Sequence, residues 1–210
     1  MKNLLTALLG LTAAVAMASP VEGWLHMRGP LQTGVSLEKK LPDSIKTEDA
    51  LWTVDLPGRS TPTVANGRIF VVGHLGEGAN LQEGVFCFDA DTGEKLWEHK
   101  FNDFLSDIIY TRYSASSPTI DPETGNLFFQ GTQGLFASFT QDGEMLWQHR
   151  VGKGGLAGGI QWGSAADAKQ VYVALSDIGI MTVRDSDVGF DTTLDSSVGG
   201  GMFAYDIETG

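Results

Sequence analysis

The sequence predicts an all-β protein, a β-propeller assembled from four-stranded antiparallel blades, and three observations predict it. The stretch CFDADTGEKLW at 87–97 returns as ASFTQDGEMLW at 137–147 and begins again as AYDIETG at 204–210. Trp52, Trp97 and Trp147 are spaced by 45 and 50 residues, the length of one propeller blade. The composition, with 27 Gly and 42% hydrophobic residues in 210, supplies frequent turns around an adequate core, and no long segment after the N-terminus keeps a 3.6-residue period.

Each copy of the frame reads as two strands joined by a tight turn. Gly93, Gly143 and Gly210 stand where a bulged hairpin needs a left-handed residue. The oxygens of Asp89, Asp91 and Thr92 are suited to capping the turn amides, which explains acidic and hydroxyl residues at this place without a metal. DADTGE also alternates carboxylates, but its glycine falls one place too early for a helix-loop-helix calcium loop and no bidentate Glu follows.

From the N-terminus, Met1, Lys2 and Asn3 precede the apolar run LLTALLGLTAAVAMA, and Ala16-Met17-Ala18 has the small-x-small pattern of a signal-peptidase site. Residues 1–18 are expected to be a secretory signal cleaved near Ala18, delivering the protein to the periplasm or the medium. The run is shorter than the roughly 20 residues of a spanning helix, so no stable membrane anchor is expected. Residues 19–50 form an arm and a connector: WLHMRGPLQTGVS, from Trp24, is broken by Gly29-Pro30 and Gly34. The propeller part is expected over 51–210, with a first strand at 51–56. Further strands are expected at 68–72, 85–88 and 95–99, then at 116–120, 126–131, 134–139 and 144–149.

The net charge of −12 offers no basic patch to neutralise phosphates, which opposes nucleic acid and anionic lipid as partners. The single Cys87 takes the place of Ala137 and Ala204 in the frame and reads as a small buried strand residue. His99 and His149 each follow their Trp by two residues, so they occupy equivalent places in different blades and cannot converge on a metal. Asp185, Asp187, Asp191 and Asp195 fall in an insertion between Asp177 and Gly199; a solvated acidic loop and a calcium loop are the two readings. Trp162 in GIQWG lies near the start of its repeat with glycines beside it, unlike the recurring Trp residues.

These residues resemble a known family. The frame Ala, apolar, Asp, two residues, Thr, Gly, three residues, Trp is similar to the tryptophan-docking motif of pyrroloquinoline quinone (PQQ)-type propeller repeats. WLHMRGPLQTGVS and YTRYSASSPTIDPETGNLFFQGTQGL resemble exported PQQ-like repeat proteins. GGIQWGSAADAKQVYVALSD and GGGMFAYDIETG are similar to polyvinyl alcohol dehydrogenase-like quinoproteins. The resemblance implies that Trp97 and Trp147, with Trp52 as a weaker match, stack on a neighbouring blade while their N–H groups bond backbone. It also implies that an aromatic residue can floor a planar quinone, which makes Gln161 and Trp162 the cofactor-binding candidates and PQQ with Ca²⁺ the cofactor of a complete propeller. No adjacent Cys pair and no CxxCH haem site are present. No residue is assigned a catalytic role and none a metal-ligating one.

Two function classes follow: an exported, non-catalytic binding or assembly scaffold that meets a protein or small ligand on a propeller face, and part of a PQQ-dependent alcohol dehydrogenase. The repeats after the arm make three blades and a fraction, whereas propellers close with roughly four to eight, so the propeller is expected to be incomplete in this chain and open to self-association.

Overall fold

The computed structural model describes residues 20–102, 114–152, 159–160, 163–177, 179–185, 189–195 and 199–210, with the backbone alone for 180–194. Among these residues there is no α-helix; the strands arrange into an incomplete propeller of three blades.

The first blade is built from β1 (Gly23–Trp24), β2 (Thr63–Ala65), β3 (Arg68–Leu75), β4 (Gln82–Asp89) and β5 (Lys95–Asn102), paired antiparallel in chain order. The second consists of β6 (Thr119–Ile120), β7 (Leu127–Gln130), β8 (Leu135–Phe139) and β9 (Met145–Arg150), in the same order. In the third, β10 (Ser164–Ala166) pairs with β11 (Gln170–Leu175) and β11 with β14 (Gly201–Asp206). Between β11 and β14 stands a separate hairpin, β12 (Gly179–Asp185) and β13 (Gly189–Asp195). The insertion expected to be an acidic loop is therefore mostly strand: Thr182, Val183, Phe190 and Thr192 carry β-branched and aromatic propensity that outweighs the scattered aspartates.

Alternation along each strand sends residues to the blades on either side. Val85 and Cys87 of β4 join Leu127, Phe129, Ala137 and Phe139 of the second blade in one core cluster. Phe136 and Trp147 join Val171 and Val173 of the third blade in another. The hairpin turns explain a correction to the repeat frame. Trp97 faces Cys87, but Trp147 faces Ser138, because the second turn is one residue shorter and the strand register shifts at a bulge in both blades. Cys87 is thus equivalent to Ser138 and Ala204, not to Ala137. Both Cys87 and Ser138 are fully buried, so the prediction of a small interior residue holds.

Two further expectations change. Residues 51–56 belong to no sheet, since the four places of the first blade are filled by β2–β5. The arm is not wholly irregular: Gly23 and Trp24 pair with Ala65 and Val64, while Val21 N–H donates to Pro122 O (2.8 Å) and Ile120 N–H to Leu25 O (2.9 Å). A five-residue stretch therefore bridges the innermost strands of the first two blades and buries its own Leu25 in the core between them.

Candidate functional site: a cleft between inner strands

The recurring hairpin turn is held by its first side chain. Asp89 Oδ1 accepts from the amides of Asp91 and Thr92 and from Thr92 Oγ1, and Asp206 does the same for Glu208 and Thr209. These bonds, the Thr92 amide foremost, hold the Asp89 carboxyl below the usual carboxylate range. One carboxylate oxygen of each Asp carries all three bonds of the turn, and among the described residues no three carboxylate, His or Cys groups gather here, which favours turn chemistry over calcium for this motif.

The turn in turn receives an indole. Trp97 Nε1 donates to Gln141 O (2.9 Å), Trp147 Nε1 to Ile207 O (3.1 Å) and Trp52 Nε1 to Ala90 O (3.0 Å), each one position past the capping residue of the next turn. The ring lies on the turn glycine: at Gly143, φ +90°, an added Cβ would stand 2.8 Å from Trp97 Cγ, so both the conformation and the contact require glycine. His99 completes the contact between the first two blades, its ring stacked 4.8 Å from that of Phe139 and its Nε2 2.7 Å from Gly143 O. His149 repeats the stack on Tyr205 at 4.9 Å. Both imidazoles serve blade stacking, and among the described residues no three His, Cys, Asp or Glu side chains converge. Burial pushes the Cys87 thiol up to about 12, which keeps it protonated and unreactive.

A cleft of about 590 Å³ lies between the inner strands of the second and third blades. Its floor is apolar, formed by Ile120, Phe128, Phe136, Ile160 and Val171. Its rim carries His26, Ser116, Gln130, Ser164, Asp121 and Asp167. Gln130 ties the two walls: its Nε2 donates to Ile160 O (3.2 Å), its Oε1 accepts from Ser164 Oγ (2.9 Å), and its backbone oxygen accepts from Ser116 Oγ. Partial burial lowers the pKa of His26, with Asp121 opposing the shift. Asp167 is held low by the amides of Lys169 and Gln170 and by Tyr172 Oη.

Gln161 and Trp162 lie outside the described residues. Their neighbours Ile160 and Gly163 line this cleft. Ca²⁺-relevant side chains of the hairpin, Asp185, Asp187 and Asp191, are likewise outside the described side chains. Among the described lining residues the charged groups are Asp121 and Asp167, with no Lys or Arg, a poor match for the carboxylates of PQQ.

Sequence reasoning missed Glu83. This carboxylate is buried on β4, where Oε1 accepts from Ser114 N–H (2.8 Å) and Thr132 Oγ1 (2.8 Å) and Oε2 from Thr132 N–H (2.7 Å). It fastens the β7–β8 turn of the second blade to the first and supports Ser114, a non-glycine at φ +51°. No local signal marks it, because QEGVF reads as an ordinary strand and its partners are 31 and 49 residues away.

The antiparallel sheets thus stack as successive blades of an incomplete propeller. The chain belongs to the PQQ-like repeat family whose model, described as outer membrane protein assembly factor BamB, matches residues 44–210. A 37-residue segment is 51% identical to a polyvinylalcohol dehydrogenase of Pseudomonas sp.. That segment is 18% of this chain and 6% of the dehydrogenase, so the chain spans only a small part of that relative. Among the described residues no helix is long and apolar enough to cross a membrane.

Proposed function

We propose that this chain is an exported PQQ-like propeller array that acts as a non-catalytic binding or assembly scaffold, with the cleft between β6 and β10 as its ligand-binding surface. The observation that carries the reading is the cleft itself: an apolar floor, a hydroxyl and amide rim, and walls already cross-tied by Gln130. Its polar groups are engaged in holding shape, an arrangement suited to recognition. Cleavage near Ala18 and passage to the periplasm or medium belong to this reading, as does the docking role of Trp52, Trp97 and Trp147 in keeping the blades stacked.

The 37-residue similarity to a polyvinylalcohol dehydrogenase favours a second reading, part of a PQQ-dependent alcohol dehydrogenase in which Gln161 and Trp162 floor the quinone. Dye-linked oxidation of short alcohols and polyvinyl alcohol, with and without PQQ and Ca²⁺, separates the two. The scaffold shows no turnover under any condition. PQQ-dependent turnover that disappears in Trp162→Ala overturns it and establishes the dehydrogenase.

A further inference from the structure

The turns that follow the inner strands are equivalent from blade to blade and differ in charge. β2, β6 and β10 are each followed by one polar residue that opens the turn: Asn66, Asp121 and Asp167. Asn66 is neutral and is used between the first two blades, its Nδ2 donating to Gln141 Oε1 (3.0 Å). Asp121 and Asp167 instead line the cleft between the second and third blades. The adjoining turns add Glu123, and Asp206 and Glu208 on either side of the lining residue Ile207, while the one cation across 121–126, 167–169 and 206–210 is Lys169. His26, which feels the Asp121 charge, leaves it uncompensated near neutral pH, because burial holds its pKa below the ordinary value of about 6.5.

The two carboxylates are fixed in place with acceptor capacity left over. Asp121 accepts from the Glu123 amide and from the Thr124 amide and hydroxyl, and Asp167 accepts from the amides of Lys169 and Gln170 and from Tyr172 Oη. Three bonds at each leave open about one of the four acceptor positions of a carboxylate. That is too few for Ca²⁺, which takes roughly six to eight oxygens, and enough for a charged N–H donor.

The rest of the cleft sets the shape of what it holds. Asp121 N–H donates to Asn126 O (2.9 Å), so the acidic end is level with Asn126, and Gln130 lies at the far end of β7, about 13 Å away by the rise of a strand. Between them the floor offers Phe128, Phe136, Ile160 and Val171, and at the far end Gln130 and Ser164 are bonded to each other. A cleft of about 590 Å³ has the size of a small-molecule site.

Given the cleft as the scaffold's ligand-binding surface, a reading on which this one rests, we propose that its ligand is an organic cation with an apolar body. The ammonium group lies at the Asp121 and Asp167 end, and an alkyl or aryl chain runs over Phe128 and Val171 toward Gln130. The carboxylates repel anions, and a neutral alcohol of the same length gains only the floor.

The test is isothermal titration of the purified chain with n-octylammonium, n-octanol and n-octanoate at low ionic strength. Octylammonium should bind on the order of tenfold tighter than octanol through its two partly exposed charge contacts. Octanoate should not bind, and added salt should erase most of the preference. Asp167→Asn keeps an oxygen for the two turn amides and should weaken octylammonium about two- to fivefold, as for an exposed ion pair, with octanol unchanged. Adding Asp121→Asn should remove the rest of the preference, whereas Glu48→Gln, on the arm, should change nothing. Ala166→Trp, at the exposed position paired with Val171, should block both ligands with an unchanged far-UV circular dichroism spectrum. Octanol binding as tightly as octylammonium, or a preference that survives both Asp substitutions, would overturn the cation while leaving the cleft as a ligand surface. Binding of none of the three, or binding that survives Ala166→Trp, would overturn the cleft reading with it.

Discussion

The two blade interfaces use one device at their outer ends and differ at their inner ends. Between the first and second blades, and between the second and third, an indole lies on a turn glycine and an imidazole stacks on the next aromatic ring. Toward the inner strands the first interface is bridged. The arm at 21–25 bridges β2 and β6, and buried Glu83 binds the β7–β8 turn. The second interface opens into the cleft, where Gln130 spans the gap and Ser164–Ala166 remain exposed. Repetition therefore supplies stability at the rim, and departures from the repeat near the axis create the surface available for binding.

The largest effect expected is loss of the shared device. Trp147→Ala should lower stability by about 3 to 5 kcal/mol, as for a buried aromatic truncated to Ala, and Trp24→Ala, half-buried on the arm, should cost less. Equal denaturant midpoints for the two would show that the rim contact does not carry the stacking. Next is the bridge across the first interface. Glu83→Leu strands the Thr132 and Ser114 amides and Thr132 Oγ1 in the interior, a loss of about 3 kcal/mol for buried donors deprived of a charged acceptor. Glu83→Gln, which keeps an acceptor oxygen, should recover part of it, and chemical denaturation of the pair checks the order.

Gly143→Ala should follow, at about 1 to 3 kcal/mol, since it forces a left-handed L-residue against the Trp97 ring. Thermal unfolding compared with Gly163→Ala, where no neighbour stands within 4 Å of the added carbon although φ is also positive, isolates the part due to contact. The smallest effect concerns pH at the cleft. His26 has a folded pKa below its usual value through burial, so the folded state favours the neutral ring. That contribution is present above about 6.5, the ordinary His value, and is lost as pH falls through the lowered folded value. His26→Gln should flatten the fall in thermal midpoint over that window, and an unchanged slope would place the acid sensitivity elsewhere, for example at His74, whose pKa burial also lowers.

Much of the fold was legible in the residues because its determinants are local and repeated. A glycine at the turn, a capping Asp four residues or Thr three residues before it and a Trp four residues after it specify a bulged hairpin with few alternatives, and alternation tells which residues enter the interior. The same locality set the limits. A one-residue deletion in the second turn moved the equivalent of Cys87 from Ala137 to Ser138, which only the bulged register reveals. The scattered aspartates at 185–195 read as a loop, whereas strand pairing over seven positions makes a hairpin.

What the sequence alone determined, then, is the blade: its strands, its turns and the tryptophans that link one repeat to the next, all set by contacts within a hairpin or by a motif recurring at fixed spacing. Tertiary structure alone decided where the repeats depart from one another. The arm pairs with strands some 40 and 100 residues away, Glu83 finds donors in another blade, and the cleft exists because inner strands of two blades stand apart. Such contacts leave no period in the chain, because a buried carboxylate or an edge strand is specified by whichever distant backbone groups meet it after the blades have stacked.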